Sequence, residues 1–386
     1  MRKILLILLV VFSRLGFAQQ IDTLVFYSSI FEENRELRIH LPEFYKYGSD
    51  DSEFPIIYAL DGQHDWFIMP LKNTVRYLQY THEIPQAIIV EIPHSDRVKE
   101  SLFPSSMQES TALHRFIQTE VDSLLKAYRT SDVRILIGHS FTASFALYSF
   151  VKNPDFYAAV IAHSPLYRIE KLVESMRELP LSQQKRIYLS IGGAAFNKDS
   201  VHRLPYERLK IRFPEFFKSI NTYEANLSTH TAVPILASPY MLSLLFNKFS
   251  SRMSSIARVD LEYALISPPL SPEEELEKIK RQSTLLEEFY PPEIPELNGI
   301  ISRYSNSDYW EHSEALLQEA LHYYPHFFDF HLQLYSLYWS QGAEEKAKKH
   351  LLEAYRLINT MEREADDWQD LMGEIDAELE ERKWQP

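Results

Sequence analysis

Between Asp22 and about Phe246, short apolar or β-branched runs alternate with helix-length stretches, and several runs are apolar without interruption: Ile56-Ile57, Ile88-Ile89-Val90 and Ile135-Leu136-Ile137. A strand with one wet face alternates polar and apolar residues, so an unbroken apolar run implies burial on both faces. A sheet covered by helices on each side supplies that environment, and strands separated by helices join in parallel through crossovers. The pattern predicts an α/β domain built on a mostly parallel sheet. Its candidate strands are Leu24–Phe26, Glu36–His40, Pro55–Leu60, Gln86–Ile92, Val133–Ile137, Ala158–Ala162, Arg186–Ile191 and Ile220–Glu224.

One junction in this series carries chemistry. From Val133 to Ala143 an apolar strand enters the turn Gly138-His139-Ser140-Phe141-Thr142 and leaves as a helix that continues to about Val151. A serine on such an elbow is held in a strained backbone conformation with its hydroxyl exposed, and small residues two before and two after it avoid clashes. Gly138 fits; Thr142 stands where a second glycine is usual. Glycine is scarce here, nine residues in 386, against an ordinary usage of about 7%. Four of the nine, Gly62, Gly138, Gly192 and Gly193, fall just past predicted strands, on the rim where open α/β sheets carry ligand sites.

A serine nucleophile needs a base, and the base needs a carboxylate to hold its tautomer, in the chain order Ser, acid, His for this arrangement. His230 follows the last predicted strand and is the expected base. Asp199 is the expected acid, being the one carboxylate before Glu207 in the loop after Arg186–Ile191, with Glu224 a rival on the strand itself. His202 is assigned to the surface. Two backbone amides should receive the developing oxyanion, that of Phe141 and that of Gln63 in the loop after Pro55–Leu60. His64, Trp66, His139 and His163 are expected to line the substrate pocket. His64 and Asp65 lack a second cluster at ligand spacing, so neither a metal nor a cofactor is predicted.

Beyond the sheet the composition changes. Ser267-Pro268-Pro269-Leu270-Ser271-Pro272 reads as a linker, and Ser271, Pro272 and Glu274 form a helix N-cap, N1 proline and N3 glutamate. Leu317, Glu319 and Ala320 recur as Leu351, Glu353 and Ala354, an offset of 34 residues, which is the tetratricopeptide period. With Phe328 at position one, Gly342 falls at the inter-helix turn and Ala347 and Ala354 at close-packing positions. Two such units bury little alone, so the segment is expected to pack on the first domain or on a second chain. The expected divisions are 1–18, a signal peptide; 19–250, the α/β domain; 251–296, linker and connecting helices; 297–360, the tetratricopeptide-like region; and 361–386, an acidic helix or tail.

The first division rests on Arg2 and Lys3, an apolar run from Ile4 to Phe12 and the small-residue exit Gly16-Phe17-Ala18, which together predict export to the periplasm or exterior. The run is shorter than the roughly 20 residues a membrane span needs. Cysteine is absent, which excludes disulfides, thiolate metal sites and a thiol nucleophile. A formal charge of −14 argues against nucleic-acid partners.

These segments resemble the esterases related to esterase D and the enterochelin esterases, in the subgroup with a carboxy-terminal tetratricopeptide region. The resemblance is carried by Ile56 to Gly62, Ile88 to Pro93 with Asp96-Arg97 and Pro104, Gly138-His139-Ser140-Phe141, Asn153-Pro154-Asp155-Phe156, Ile161 to Pro165, Tyr290 to Glu293 and the repeat from Gly342 to Ala354. It implies an α/β-hydrolase fold that cleaves carboxylic esters through an acyl-enzyme on Ser140, with His230 as base. Ala194 and Ala195 stand where family members often carry an early acid. The expected activity is serine esterase, with a small-molecule ester as substrate. The rival expectation is a hydrolase fold without turnover, gripping a protein partner through its helical region.

Overall fold

The computed structural model describes residues 21–360 and 368–385; the predicted signal peptide and the start of the acidic tail lie outside them. Eight strands form where the apolar runs predict them: β1 (Ile21–Ser28), β2 (Glu33–His40), β3 (Phe54–Leu60), β4 (Ile88–Ile92), β5 (Thr130–His139), β6 (Ala159–His163), β7 (Ile187–Ile191) and β8 (Asn221–Glu224). They make one sheet in the order β1-β2-β4-β3-β5-β6-β7-β8. The β1–β2 and β2–β4 pairings are antiparallel and the rest parallel.

Every residue of β3, β4, β6 and β7 is buried, as the unbroken apolar runs require. Alternate side chains serve opposite faces. Tyr58 and Leu60 join Phe145 and Leu147 of helix α2 (Phe141–Lys152), whereas Ile57 and Ala59 join Phe67 and Val75 of α1 (Asp65–Tyr80) and Met241 of α4 (Val233–Leu245). Fully burying one large side chain stabilises by about 1.5–3 kcal/mol, so the two cores together fix the sheet. Helix α3 (Ser200–Arg212) lies between β7 and β8 in the chain.

Helix α5 (Pro272–Gln282) opens as its sequence predicts. The Ser271 hydroxyl accepts the Glu274 amide at 3.3 Å and the Glu274 carboxylate accepts the Ser271 amide at 3.1 Å. Two hairpins follow, α6 (Ile294–Asn306) with α7 (Trp310–Tyr323) and α8 (Phe328–Ser340) with α9 (Glu344–Asn359). The repeat positions Leu317, Leu351, Ala320 and Ala354 are all buried in their shared core. Gly342 turns between α8 and α9 with φ 71°, a left-handed conformation that glycine adopts without penalty. Helix α10 (Trp368–Arg382) sets Met372, Ile375 and Leu379 into the same core.

Tyr47, from the segment between β2 and β3, is buried in this helical core, its ring 5.0 Å from that of Phe327. A polar junction adjoins it. Glu293 accepts the Gln86 amide and the Tyr290 hydroxyl, both at 2.7 Å, while Arg252 grips Glu296 at 2.8 and 2.6 Å. Among the described residues no helix is long and apolar enough to cross a membrane.

Candidate active site

Ser140 is the junction of β5 and α2, and its backbone sits at φ 61°, ψ −114°. For a residue with a side chain such a conformation costs on the order of 1–3 kcal/mol and persists only where surroundings impose it. Here the Ser140 amide donates to the His163 carbonyl of the neighbouring strand at 2.8 Å. The turn is so tight that a Cβ on Gly138 would lie 2.5 Å from the Thr142 carbonyl oxygen. Glycine is obligatory there.

Thr142 has a structural reason of its own. Its hydroxyl accepts the His139 amide at 2.9 Å and donates to Asp61 Oδ2 at 2.6 Å. Asp61, fully buried just past β3, also takes Arg97 Nε at 2.6 Å and Nη2 at 3.0 Å, and Arg97 Nη2 donates to the His139 carbonyl at 2.7 Å. Burial pushes the Asp61 carboxyl up, but Arg97 and Thr142 outweigh it and hold it below its usual range. The elbow is thereby clamped to the loop that carries Gln63. That loop is pinned in turn: the Gly62 amide donates to the Ile92 carbonyl at 3.2 Å and Gln63 Oε1 accepts the His94 amide at 3.0 Å.

The loops that carry Asp199 and His230 meet on the same rim. Asp199 precedes the first turn of α3, and His230 begins the short turn that leads into α4. His230 Nδ1 lies 2.8 Å from Asp199 Oδ1. The other carboxylate oxygen accepts the Gly192 amide at 2.9 Å and the Ser164 hydroxyl at 2.6 Å. Burial alone would raise this carboxyl; the bonds from His202, His230, Ser164 and Gly192 together hold it far below its usual range. A Cβ on Gly192 would stand 2.6 Å from Asp199 Cβ, so the position of Asp199 depends on that glycine.

His202, assigned to the surface from sequence, instead places its Nδ1 2.9 Å from Asp199 Oδ1. Its ring stacks on His230 with centroids 3.9 Å apart. The spacing Asp199 to His202, one turn across a helix start, was the available signal. Glu224, the rival acid, belongs to another cluster, bound by Arg203 at 2.5 Å and by Tyr206 at 2.9 Å.

His139 is buried, with Nε2 3.0 Å from the His230 carbonyl and its ring 4.3 Å from that of His230. Burial first, and then the neighbouring His230 and His163, push it down to about 3, so it is neutral. Among the described residues no hydrogen bond joins Ser140 Oγ to His230. Such bonds commonly close only when substrate binds.

Of the expected pocket residues, Trp66 lines a narrow cleft between α1 and α4 with Phe67, Thr231, Pro234 and Ile235. The His64 ring lies 5.8 Å from that of Trp66, tilted 38° to it. His139 lies behind Trp66 at 5.3 Å and contributes almost no surface. The expectation for His163 is corrected: it is fully enclosed, with Nδ1 2.7 Å from Ser190 Oγ and Nε2 3.1 Å from Ser238 Oγ. Ser190 and Ser238 close over the two ring nitrogens and hold the ring inside the core. Burial pushes it down to about 3.

Residues 28–209 match the esterase family model, whose description is "Putative esterase". No curated protein matches the chain. Among solved structures, an IroE-like serine hydrolase from Shewanella oneidensis superposes with a TM-score of 0.58 at 18% identity, covering 78% of this chain and 99% of its own. An uncharacterised protein from Capnocytophaga ochracea gives 0.53 at 17% identity over 93% of this chain and 100% of its own. At these identities the likeness is one of fold, and the fold is α/β-hydrolase.

Proposed function

With residues 28–209 an esterase-family segment as premise, we propose that the chain is a serine esterase that cleaves small carboxylic esters through Ser140, His230 and Asp199. The observation that carries this reading is the convergence on one rim of a serine at φ 61° and a histidine 2.8 Å from a buried carboxylate. In the proposed reaction His230 Nε2 takes the proton of Ser140 Oγ as the oxygen attacks the ester carbonyl. The amides of Phe141 and Gln63 receive the oxyanion; one such donor is worth about 3–4 kcal/mol of barrier. His230 then protonates the departing alcohol, and the acyl-enzyme remains. Water, deprotonated by His230, releases the acid. Asp199 keeps the proton on Nδ1, so that Nε2 is free to act as base.

Thr142 is compatible with this role, because its hydroxyl braces the elbow instead of crowding it. The cleft beside Trp66 and Ile235 suits an apolar portion of the substrate. The pattern over residues 1–18 supports export, and the hairpins α6 to α9 support a tetratricopeptide-like region available to a protein partner or a second copy. The test is labelling by a fluorophosphonate with identification of the modified residue, together with p-nitrophenyl acetate turnover. Labelling is expected at Ser140, and turnover should disappear in Ser140→Ala; equal activity in that variant would sink the proposal.

A further inference from the structure

We propose that Asp199, His202 and His230 form a binding site for a borderline divalent cation such as Zn2+, and that its occupation switches the enzyme off. The second half rests on the esterase reading above; the first half does not. Orienting one base requires one histidine on the carboxylate. Here two compete for the same oxygen, at 2.8 and 2.9 Å, with rings only 16° from parallel. One ligand atom from each of the three residues lies within 4.8 Å of the other two.

Two neutral imidazoles and one carboxylate are a donor set that zinc favours. With metal–ligand bonds of about 2.0–2.2 Å, tetrahedral ligand atoms sit roughly 3.3 Å apart. To admit the ion the contacts must open by about half an ångström, and the two rings, stacked 3.9 Å apart and 16° from parallel, must turn until both planes meet at the ion. Access exists, since the His202 and His230 side chains are 14% and 26% exposed. The carboxylate is also pre-oriented, because the Gly192 amide and the Ser164 hydroxyl hold Oδ2 and leave Oδ1 directed at both rings. Water completes the coordination.

Inhibition follows from tautomer chemistry. A neutral imidazole carries one proton, and in the base-competent form of His230 it is on Nδ1, donated to Asp199. A metal on Nδ1 takes that nitrogen's lone pair, so the proton moves to Nε2 and none is lost. Nε2 then has no lone pair to accept the Ser140 proton. His202 undergoes the same exchange without consequence for the reaction. Mg2+ and Ca2+, which prefer oxygen ligands, should not substitute.

The full chain, freed of metal with a chelator, is titrated calorimetrically with ZnCl2 as wild type, Ser140→Ala, His202→Asn and His202→Gln. Wild type and Ser140→Ala should bind zinc with equal affinity, and both His202 variants at least about 10-fold more weakly, since losing a ligand costs no less than losing an outer partner of one. In parallel, zinc should slow fluorophosphonate labelling of the wild type, EDTA should restore it, and labelling of the His202 variants should be indifferent to the same zinc. The proposal is overturned if zinc does not bind, if the His202 variants bind it as tightly as wild type, or if magnesium inhibits equally. Calorimetry on Ser140→Ala needs no turnover, so failure of the esterase reading would leave the binding result standing.

Discussion

The sheet rim and the junction with the helical hairpins are made of the same materials, carboxylates facing histidine and arginine in buried surroundings, yet they are built to different ends. At the junction Arg252 and Glu296 are each 5% exposed, and Arg252 also donates to the Tyr290 and Pro291 carbonyls at 3.0 and 2.8 Å. At the rim Asp199 is equally saturated, but its His230 partner is 26% exposed and its ring lies 4.3 Å from that of His139, the residue before the strained Ser140. A satisfied buried charge can therefore lock an interface or poise a reaction. What decides is whether one partner keeps an edge toward solvent and substrate.

The contrast breaks most visibly at Asp199. Asp199→Asn should lower kcat/KM by about 10³–10⁴-fold through loss of the productive tautomer, read by ester hydrolysis under saturating and limiting substrate. Glu293→Ala should do the reverse. It leaves the Gln86 amide unpaired and the Tyr290 hydroxyl with only the Gln86 carbonyl at 3.3 Å, and removing one member of a buried charged network typically costs about 3–5 kcal/mol, measured by urea unfolding. If its folded fraction loses activity as far as Asp199→Asn does, the separation of the two regions fails.

The pH dependence separates them next. His82 lies 3.3 Å from Glu293 and 3.5 Å from Glu296, close as ion pairs though without hydrogen-bond geometry. Burial lowers its pKa, but the two carboxylates outweigh burial and lift it from 6.5 to about 9. The folded state binds this proton more tightly than the unfolded state. Its contribution, up to about 3 kcal/mol, is complete below pH 6.5 and vanishes as pH rises through about 9. Unfolding of wild type and His82→Gln should therefore differ near the lower value and converge above the upper one. Asp199 has the opposite sign: its depressed pKa stabilises above its usual 3.8 and the contribution is lost on acidification. The smallest effect is expected at Thr142. Thr142→Val leaves Asp61 Oδ2 and the His139 amide short of a partner, a loss of about 1–3 kcal/mol by thermal melting.

Residues whose neighbours are close in sequence or set by periodicity were legible. The apolar runs located all eight strands of the main sheet, with ends off by up to three residues, as at β1 and β5, but not the short hairpin of Thr284–Leu285 with Glu288–Phe289. The elbow glycine followed from a strand end, and so did the placing of Asp199 and His230 on loops that meet, 2.8 Å apart. What escaped depends on distant packing. Thr142 read as a departure because Asp61, its partner, lies 81 residues away. His163 read as a pocket residue because nothing local states which strands will flank β6. Glu293 read as part of a proline-rich break, whereas it caps α6 and holds the Gln86 amide.

Gly192 has a consequence for how such an enzyme can change. Any side chain there would displace Asp199, so under the proposed mechanism the β7 end of the rim offers no room for variation without loss of the chemistry. Trp66 and Ile235, 44% and 50% exposed across the cleft, carry no such constraint. Selection for new esters, in nature or in the laboratory, has its freedom on the α1 and α4 side, while the acid side can only be inherited intact.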